Sequence, residues 1–143
     1  MSENGTYTGA CFCGAVEIKA EGGPFLMGYC HCDSCRHWSA APVSAFSLWR
    51  PGALTVTKGE DNVLTYNKTP DSFRKSCKAC GGHVYSEHPG KGFIDIYPAV
   101  LRGLEFKPVM HVSYGESVLR VKDGLPKFKT FPNKDGEGEM MDE

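Results

Sequence analysis

The chain has 143 residues, 41% of them hydrophobic and 23% charged, with a formal net charge of −1. That is the size and balance of one globular domain with its own core, which argues against a mainly disordered chain and against disulfides as its main support. The charge gives no strong pull on phosphate backbones, and no apolar run approaches the ~20 residues that span a bilayer, so neither nucleic acid nor membrane is an expected partner.

The first residues, Met1-Ser2-Glu3-Asn4-Gly5, are polar and acidic and carry no basic or apolar region of a secretory signal. They read as an N-terminal extension over 1–5, and the cytoplasm is the expected location. Gly and Pro, 17 and 9 in number, cut the chain into short pieces. Val16-Glu17-Ile18-Lys19-Ala20 and Leu54-Thr55-Val56-Thr57 alternate apolar and polar residues with period two. Phe93-Ile94-Asp95-Ile96-Tyr97 and Val109-Met110-His111-Val112-Ser113-Tyr114 are rich in β-branched and aromatic residues. All four predict strands. No long stretch carries a 3.6-residue apolar stripe, and only Asp33 to Trp38 suggests a short helical turn. The expected class is therefore all-β (β-rich), built of short strands and loops, with an α+β domain as the rival. The tail, acidic and glycine-rich from Asp135 to Glu143, is expected to be disordered.

Seven cysteines are the outlying number. An odd count leaves one over from any closed disulfide set, and in a reducing compartment clustered cysteines are metal ligands or catalytic thiols. They fall into three groups: Cys11-Phe12-Cys13, Cys30-His31-Cys32-Asp33-Ser34-Cys35, and Cys77-Lys78-Ala79-Cys80. A C-x-x-C turn brings two sulfurs to one metal, and a glycine just after it, as in Cys80-Gly81 and Cys13-Gly14, lets the turn close. In an extended C-x-C both side chains leave one face of the strand. Zinc takes four ligands in a tetrahedron and thiolates suit it. Cys11, Cys13, Cys77 and Cys80 then form a closed structural site. Cys30, Cys32 and Cys35 hold a second zinc with one open position, and open sites do chemistry. A rival division joins Cys32 and Cys35 to Cys77 and Cys80, leaving Cys11, Cys13 and Cys30 without a role. A thioredoxin-type dithiol would open a helix in a βαβ unit, and no such unit is visible.

Zinc with three thiolates has a formal charge of −1, which makes it a poorer Lewis acid than a three-histidine zinc and disfavours hydrolysis. A fourth thiolate is its natural ligand, so the expected substrate is a small thiol. With three ligands rather than four, this second zinc is also the labile one. His31 and His37 flank the cluster as candidate ligands or proton carriers, and Arg36, Arg74 and Lys75 as candidate anion binders. Tyr29, Trp38, Phe46 and Trp49 are candidate pocket walls, with core packing as the rival role for each.

Gly9-Ala10-Cys11-Phe12-Cys13-Gly14-Ala15-Val16, Cys30-His31-Cys32-Asp33-Ser34-Cys35-Arg36 and Cys77-Lys78-Ala79-Cys80-Gly81 resemble the motifs of the glutathione-dependent formaldehyde-activating enzyme family, also called the centromere protein V family. His111-Val112-Ser113 and Asp123-Gly124-Leu125-Pro126-Lys127-Phe128 are similar to its closing segment. The resemblance spans about residues 6–131, leaving 132–143 as the tail. It implies an Mss4-like β-tent of short antiparallel strands with zinc-binding loops, and two zinc ions per chain. It implies Cys11, Cys13, Cys77 and Cys80 as structural ligands, with Cys30, Cys32 and Cys35 as catalytic-zinc ligands. The implied activity is that of a carbon–sulfur lyase that joins glutathione and formaldehyde as S-(hydroxymethyl)glutathione. A non-catalytic zinc-stabilised binding module of the same fold is the alternative. A homodimer is a reasonable expectation. The chain departs from the family pattern at Ser39, where a glycine is usual, and at Ser76, where an aromatic commonly precedes the C-x-x-C.

Overall fold

The computed structural model describes residues 5–143; of the expected N-terminal extension, residues 1–4 lie outside the described residues. In chain order the elements are β1 (Gly5–Ala10), β2 (Glu17–Gly22), β3 (Leu26–Cys30), α1 (Asp33–Ser39), β4 (Ser44–Trp49), β5 (Leu54–Lys58), β6 (Val63–Thr69) and β7 (Ser72–Cys77). They continue as β8 (His83–His88), β9 (Phe93–Ile96), β10 (Leu101–Arg102), β11 (His111–Val112), β12 (Lys127–Phe128) and β13 (Met140–Met141). The chain is β-rich, as its sequence predicts, and α1 is the expected helical turn. The elements form two compact units. The first takes the chain up to Phe25 and Ser47–Phe106; the second takes Leu26–Phe46 and Lys107–Glu143.

In the first unit β10, β1, β2 and β5 form an antiparallel sheet in that order. Period-two alternation on β2 turns Ile18 and Ala20 inward, 1% and 0% exposed, with Val16 buried just before the strand. Burying a side chain such as Ile18 contributes about 1.5–3 kcal/mol. A second ladder runs from β6 through β7 and β8 to β9, with Leu48 and Trp49 of β4 paired to Asp95 and Ile94. Trp49, Val84, Ile94 and Ile96 join Val16 and Ile18 in one core, and Tyr7 meets the Trp49 indole edge-on at 5.9 Å. The buried indole N–H is satisfied by Ser47 Oγ at 2.9 Å, and that hydroxyl donates to the Ile96 carbonyl. Trp49 is thus core rather than pocket wall.

Two glycines set backbone approaches here. Gly9 on β1 lies so near Val100 that a Cβ would stand 2.3 Å from its carbonyl oxygen. Gly59 has φ +77°, and a Cβ there would stand 1.9 Å from the Ala15 carbonyl oxygen. Only glycine meets both demands.

The second unit departs from the antiparallel expectation. β11 pairs in parallel with β3 on one side and with β12 on the other, while β12 and β13 pair antiparallel. The stretch Val109–Tyr114 supplies just this two-residue strand, because Ser113 turns to φ +55° and Tyr114–Glu116 forms a 3₁₀ turn. Met27, Phe46, Val112, Tyr114 and Phe128 are buried in this unit. The acidic tail, read from the sequence as disordered, is placed along β12. Lys129 N–H donates to the Glu139 carbonyl, β13 pairs with β12, and the Glu143 carboxylate accepts from the Tyr114 hydroxyl.

Candidate metal centres

The first unit gathers Cys11, Cys13, Cys77 and Cys80, whose sulfurs all lie within 4.8 Å of one another. Two knuckles deliver them. Beyond β1, Gly14 at φ +83° donates to the Cys11 carbonyl at 3.1 Å, and Cys11 N–H donates to the Val16 carbonyl at 2.9 Å. Beyond β7, Gly81 at φ +76° donates to the Cys77 carbonyl at 2.7 Å. Backbone N–H groups of Val16, Ala79 and Gly82 donate to the sulfurs of Cys11, Cys77 and Cys80, each at 3.3 Å. Amide donors aimed at sulfur favour thiolate.

Zinc–sulfur bonds of ~2.3 Å in a tetrahedron place the sulfurs ~3.8 Å apart. Cys11 and Cys13 are 3.8 Å apart here, and Cys13 and Cys77 3.9 Å. The donor set fits a four-sulfur metal site. Burial would raise the Cys11 thiol, but the Val16 amide and the neighbouring sulfurs pull it down to about 6, while Cys13 is pushed up to about 11.

The second unit gathers Cys30, Cys32 and Cys35, also within 4.8 Å and each half-buried. Cys30 ends β3. Cys32 is the N-cap of α1, its sulfur accepting from the Cys35 N–H at 3.3 Å, and its carbonyl accepts from Arg36 N–H. The Cys30 and Cys32 sulfurs stand 3.4 Å apart. Sulfur contact with Cys32, then with Cys35, then burial, push the Cys30 thiol up. Three thiolates this close repel one another, and a cation between them removes the repulsion. The structure thus brings together the sulfurs of each sequence-read cluster, Cys11, Cys13, Cys77 and Cys80 within the first unit and Cys30, Cys32 and Cys35 within the second.

Other candidates sort differently. His31 is not among the residues grouped around either sulfur cluster; its ring is fully buried in the second unit. His37 lies in the last turn of α1. Arg36 donates to the His31 carbonyl at 2.8 Å and stands 3.7 Å from Asp33. Tyr29 stacks on His111 at 4.8 Å, and Phe46 is buried near Phe131. Arg74 and Lys75 belong to β7 in the first unit, where Lys75 pairs with Glu87. Ser39 closes the helix, its hydroxyl donating to the Cys35 carbonyl at 2.6 Å before Ala40 turns to φ +53°.

The structure joins His31 to residues of the closing segment in a polar chain that the sequence reading did not link. His31 Nε2 and His111 Nδ1 are 2.8 Å apart. His111 Nε2 meets Asp123 Oδ2 at 2.7 Å, and Lys127 Nζ donates to Asp123 Oδ1 at 2.6 Å. His31 and His111 are wholly buried, and the Lys127 side chain is 1% exposed. Burial would raise the Asp123 carboxyl, but Lys127 and His111 hold it well below the usual carboxylate range. Burial, with His111 and Arg36 beside it, pushes His31 down to about 4. In the sequence these residues stand apart, His31 as a candidate ligand or proton carrier and His111, Asp123 and Lys127 within the closing-segment motifs.

A β-rich chain with two separate cysteine clusters, each able to hold a metal ion, is the class of protein these features define. Residues 6–116 match the family model described as glutathione-dependent formaldehyde-activating enzyme. That is more than half of the chain, and the chain belongs to this family. An uncharacterized lyase of Schizosaccharomyces pombe is 29% identical over 129 residues, covering 90% of this chain and 87% of that protein. A protein of Emericella nidulans, provisionally named a glutathione-dependent formaldehyde-activating enzyme, is 27% identical over 99 residues. Those residues cover 65% of this chain and half of that protein. A crystal structure of a Rhodobacter sphaeroides protein shares the fold with a TM-score of 0.58 at 24% identity, covering 68% of this chain and 90% of that one. Among the described residues no helix is long and apolar enough to cross a membrane.

Proposed function

We propose that this chain is a zinc-dependent carbon–sulfur lyase acting on a small thiol adduct, with S-(hydroxymethyl)glutathione formed from glutathione and formaldehyde as its first candidate reaction. Cys30, Cys32 and Cys35 would hold the catalytic zinc, and Cys11, Cys13, Cys77 and Cys80 a structural one. The observation that carries the reading is the second cluster itself: three convergent sulfurs rather than four. Zinc bound there would accept a fourth soft ligand and favour the ionised form of a thiol.

The chain's own residues hold that geometry. The Cys35 amide fixes the Cys32 sulfur, Arg36 anchors the His31 carbonyl, and Glu116 Oε1 accepts from the Asp33 N–H at 3.0 Å to steady the first turn of α1. In the synthetic direction the substrate sulfur bonds to the aldehyde carbon, and the thiol proton ends on the former carbonyl oxygen. Holding both partners together supplies rate through positioning. Free cysteines suit a reducing compartment, so the reading places the protein in the cytoplasm.

The test is the exchange of ¹³C-formaldehyde with glutathione, followed by NMR on zinc-loaded protein. Faster exchange that disappears in Cys32→Ala is the expected result. No acceleration with any small thiol, in protein carrying both metals, would overturn the lyase reading in favour of a binding module.

A further inference from the structure

We propose that Asp123, acting through His111, is the positioning residue that sets the ring of His31 and thereby the carriage of Cys30 and Cys32. This deepens the proposed function, since it rests on Cys30 and Cys32 being metal ligands. The argument is one of donors and acceptors. Lys127, with three donors and almost no solvent, keeps Asp123 an acceptor on both oxygens. Asp123 Oδ2 therefore takes a proton donor from His111 Nε2. With the His111 proton on Nε2, its Nδ1 is an acceptor, and His31 must donate from Nε2 across the 2.8 Å contact. The chain ends at His31 Nδ1, a buried acceptor with no hydrogen-bond partner among the described residues.

Both rings are boxed by aromatics. Tyr29 stacks on His111, and Tyr114 meets His31 edge-on at 4.8 Å. The main chain of His31 is pinned as well: its N–H donates to the Val112 carbonyl at 3.1 Å and its carbonyl accepts from Arg36. His31 is the residue between two proposed ligands, so whatever fixes its ring fixes the C-x-C segment. Supporting groups around metal ligands typically carry about 10- to 100-fold in affinity or activity. Asp123 lies beyond the residues matched by the family model.

The test uses the full chain with ¹⁵N-labelled histidine, read at one neutral pH. Wild type is expected to carry the proton on Nε2 of both rings. In Asp123→Asn the amide oxygen stays with Lys127 and the amide N–H₂ faces His111, so both rings should move their proton to Nδ1. Asp123→Glu should keep the wild-type pattern. Cobalt(II) competition should show the second metal equivalent weakened at least about tenfold in Asp123→Asn, with the first unchanged. A proton on His31 Nδ1 in wild type overturns the assignment even if the variant fails to fold. Inverted rings with an unchanged second affinity, or unchanged rings, overturn the positioning role. A wild type that binds a second metal but has no thiol–aldehyde activity would count against the lyase reading alone, because the rings and the affinity decide this inference.

Discussion

Replacing Gly59 by alanine should injure the four-sulfur cluster from a distance. Gly59 sits at φ +77°, where an L-residue is strained by about 1–3 kcal/mol. Its new Cβ would also stand 1.9 Å from the Ala15 carbonyl oxygen and 3.2 Å from the Val16 Cα. Both are backbone atoms, so the segment must move by more than 1 Å, a shift that costs a further ~1–3 kcal/mol. The displaced residues carry the metal knuckle: Val16 N–H donates to the Cys11 sulfur, and the Val16 carbonyl accepts from Cys11 N–H. Gly52 is the control, with φ +90° but nothing within 4 Å of an added Cβ. Gly59→Ala should therefore lower stability by about 3 kcal/mol or more and Gly52→Ala by about 1 kcal/mol. Urea unfolding of both variants beside wild type measures the difference, and zinc retention in competition with a chelator reads the cluster. Equal losses in the two variants, or undiminished zinc retention in Gly59→Ala, would refute the reasoning.

Three further expectations concern buried polar groups and the tail. Ser47→Ala leaves the Trp49 indole N–H without its acceptor inside the core, and should cost about 1–3 kcal/mol in urea unfolding. Burial pushes the Asp95 carboxyl up to about 7, against the pull of the Ser47 amide and Arg74, while an unfolded aspartate ionises near ~3.9. The folded state thus holds the extra proton. The Asp95 contribution is whole below about pH 4 and is lost as pH rises towards about 7, so Asp95→Asn should gain on wild type between about pH 5 and about pH 8. An unchanged difference across that range would show that burial does not govern this carboxyl. Deleting Glu139–Glu143 removes β13 and the carboxylate that accepts from Tyr114, and should lower the melting temperature by several degrees, about 3 °C per kcal/mol for a chain of this size. No change would mean that the tail contributes no stabilising contact.

The cysteine clusters were legible in the sequence because a C-x-C or C-x-x-C sets its own local geometry, with Gly14 and Gly81 marking the turns. The strand around Ile18 was legible for a similar reason: alternation over five residues suffices when one face is buried. β6 was not, because Leu64 and Tyr66 are exposed and the strand stands on its ladder to β7 rather than on an apolar face. β1 hid behind its glycines and threonines, of which Gly9 is accounted for by the close approach of Val100. Lysine is rarely buried, and nothing in the local sequence marks Lys127 as an exception. Its burial depends on Asp123, and the histidine contact joins residues 80 apart in sequence. Propensity carries no signal for such a pairing, nor for the parallel bridges of β11, which are set by the packing of distant segments.

The central claim is that Cys30, Cys32 and Cys35 form an open metal site that takes a thiol. Cobalt(II) titration of the metal-free protein, followed by glutathione and watched by visible absorption, tests it most directly. The account predicts two equivalents per chain, the first insensitive to thiol and the second shifting its spectrum as glutathione is added. A single equivalent, or two that both ignore glutathione, would contradict it.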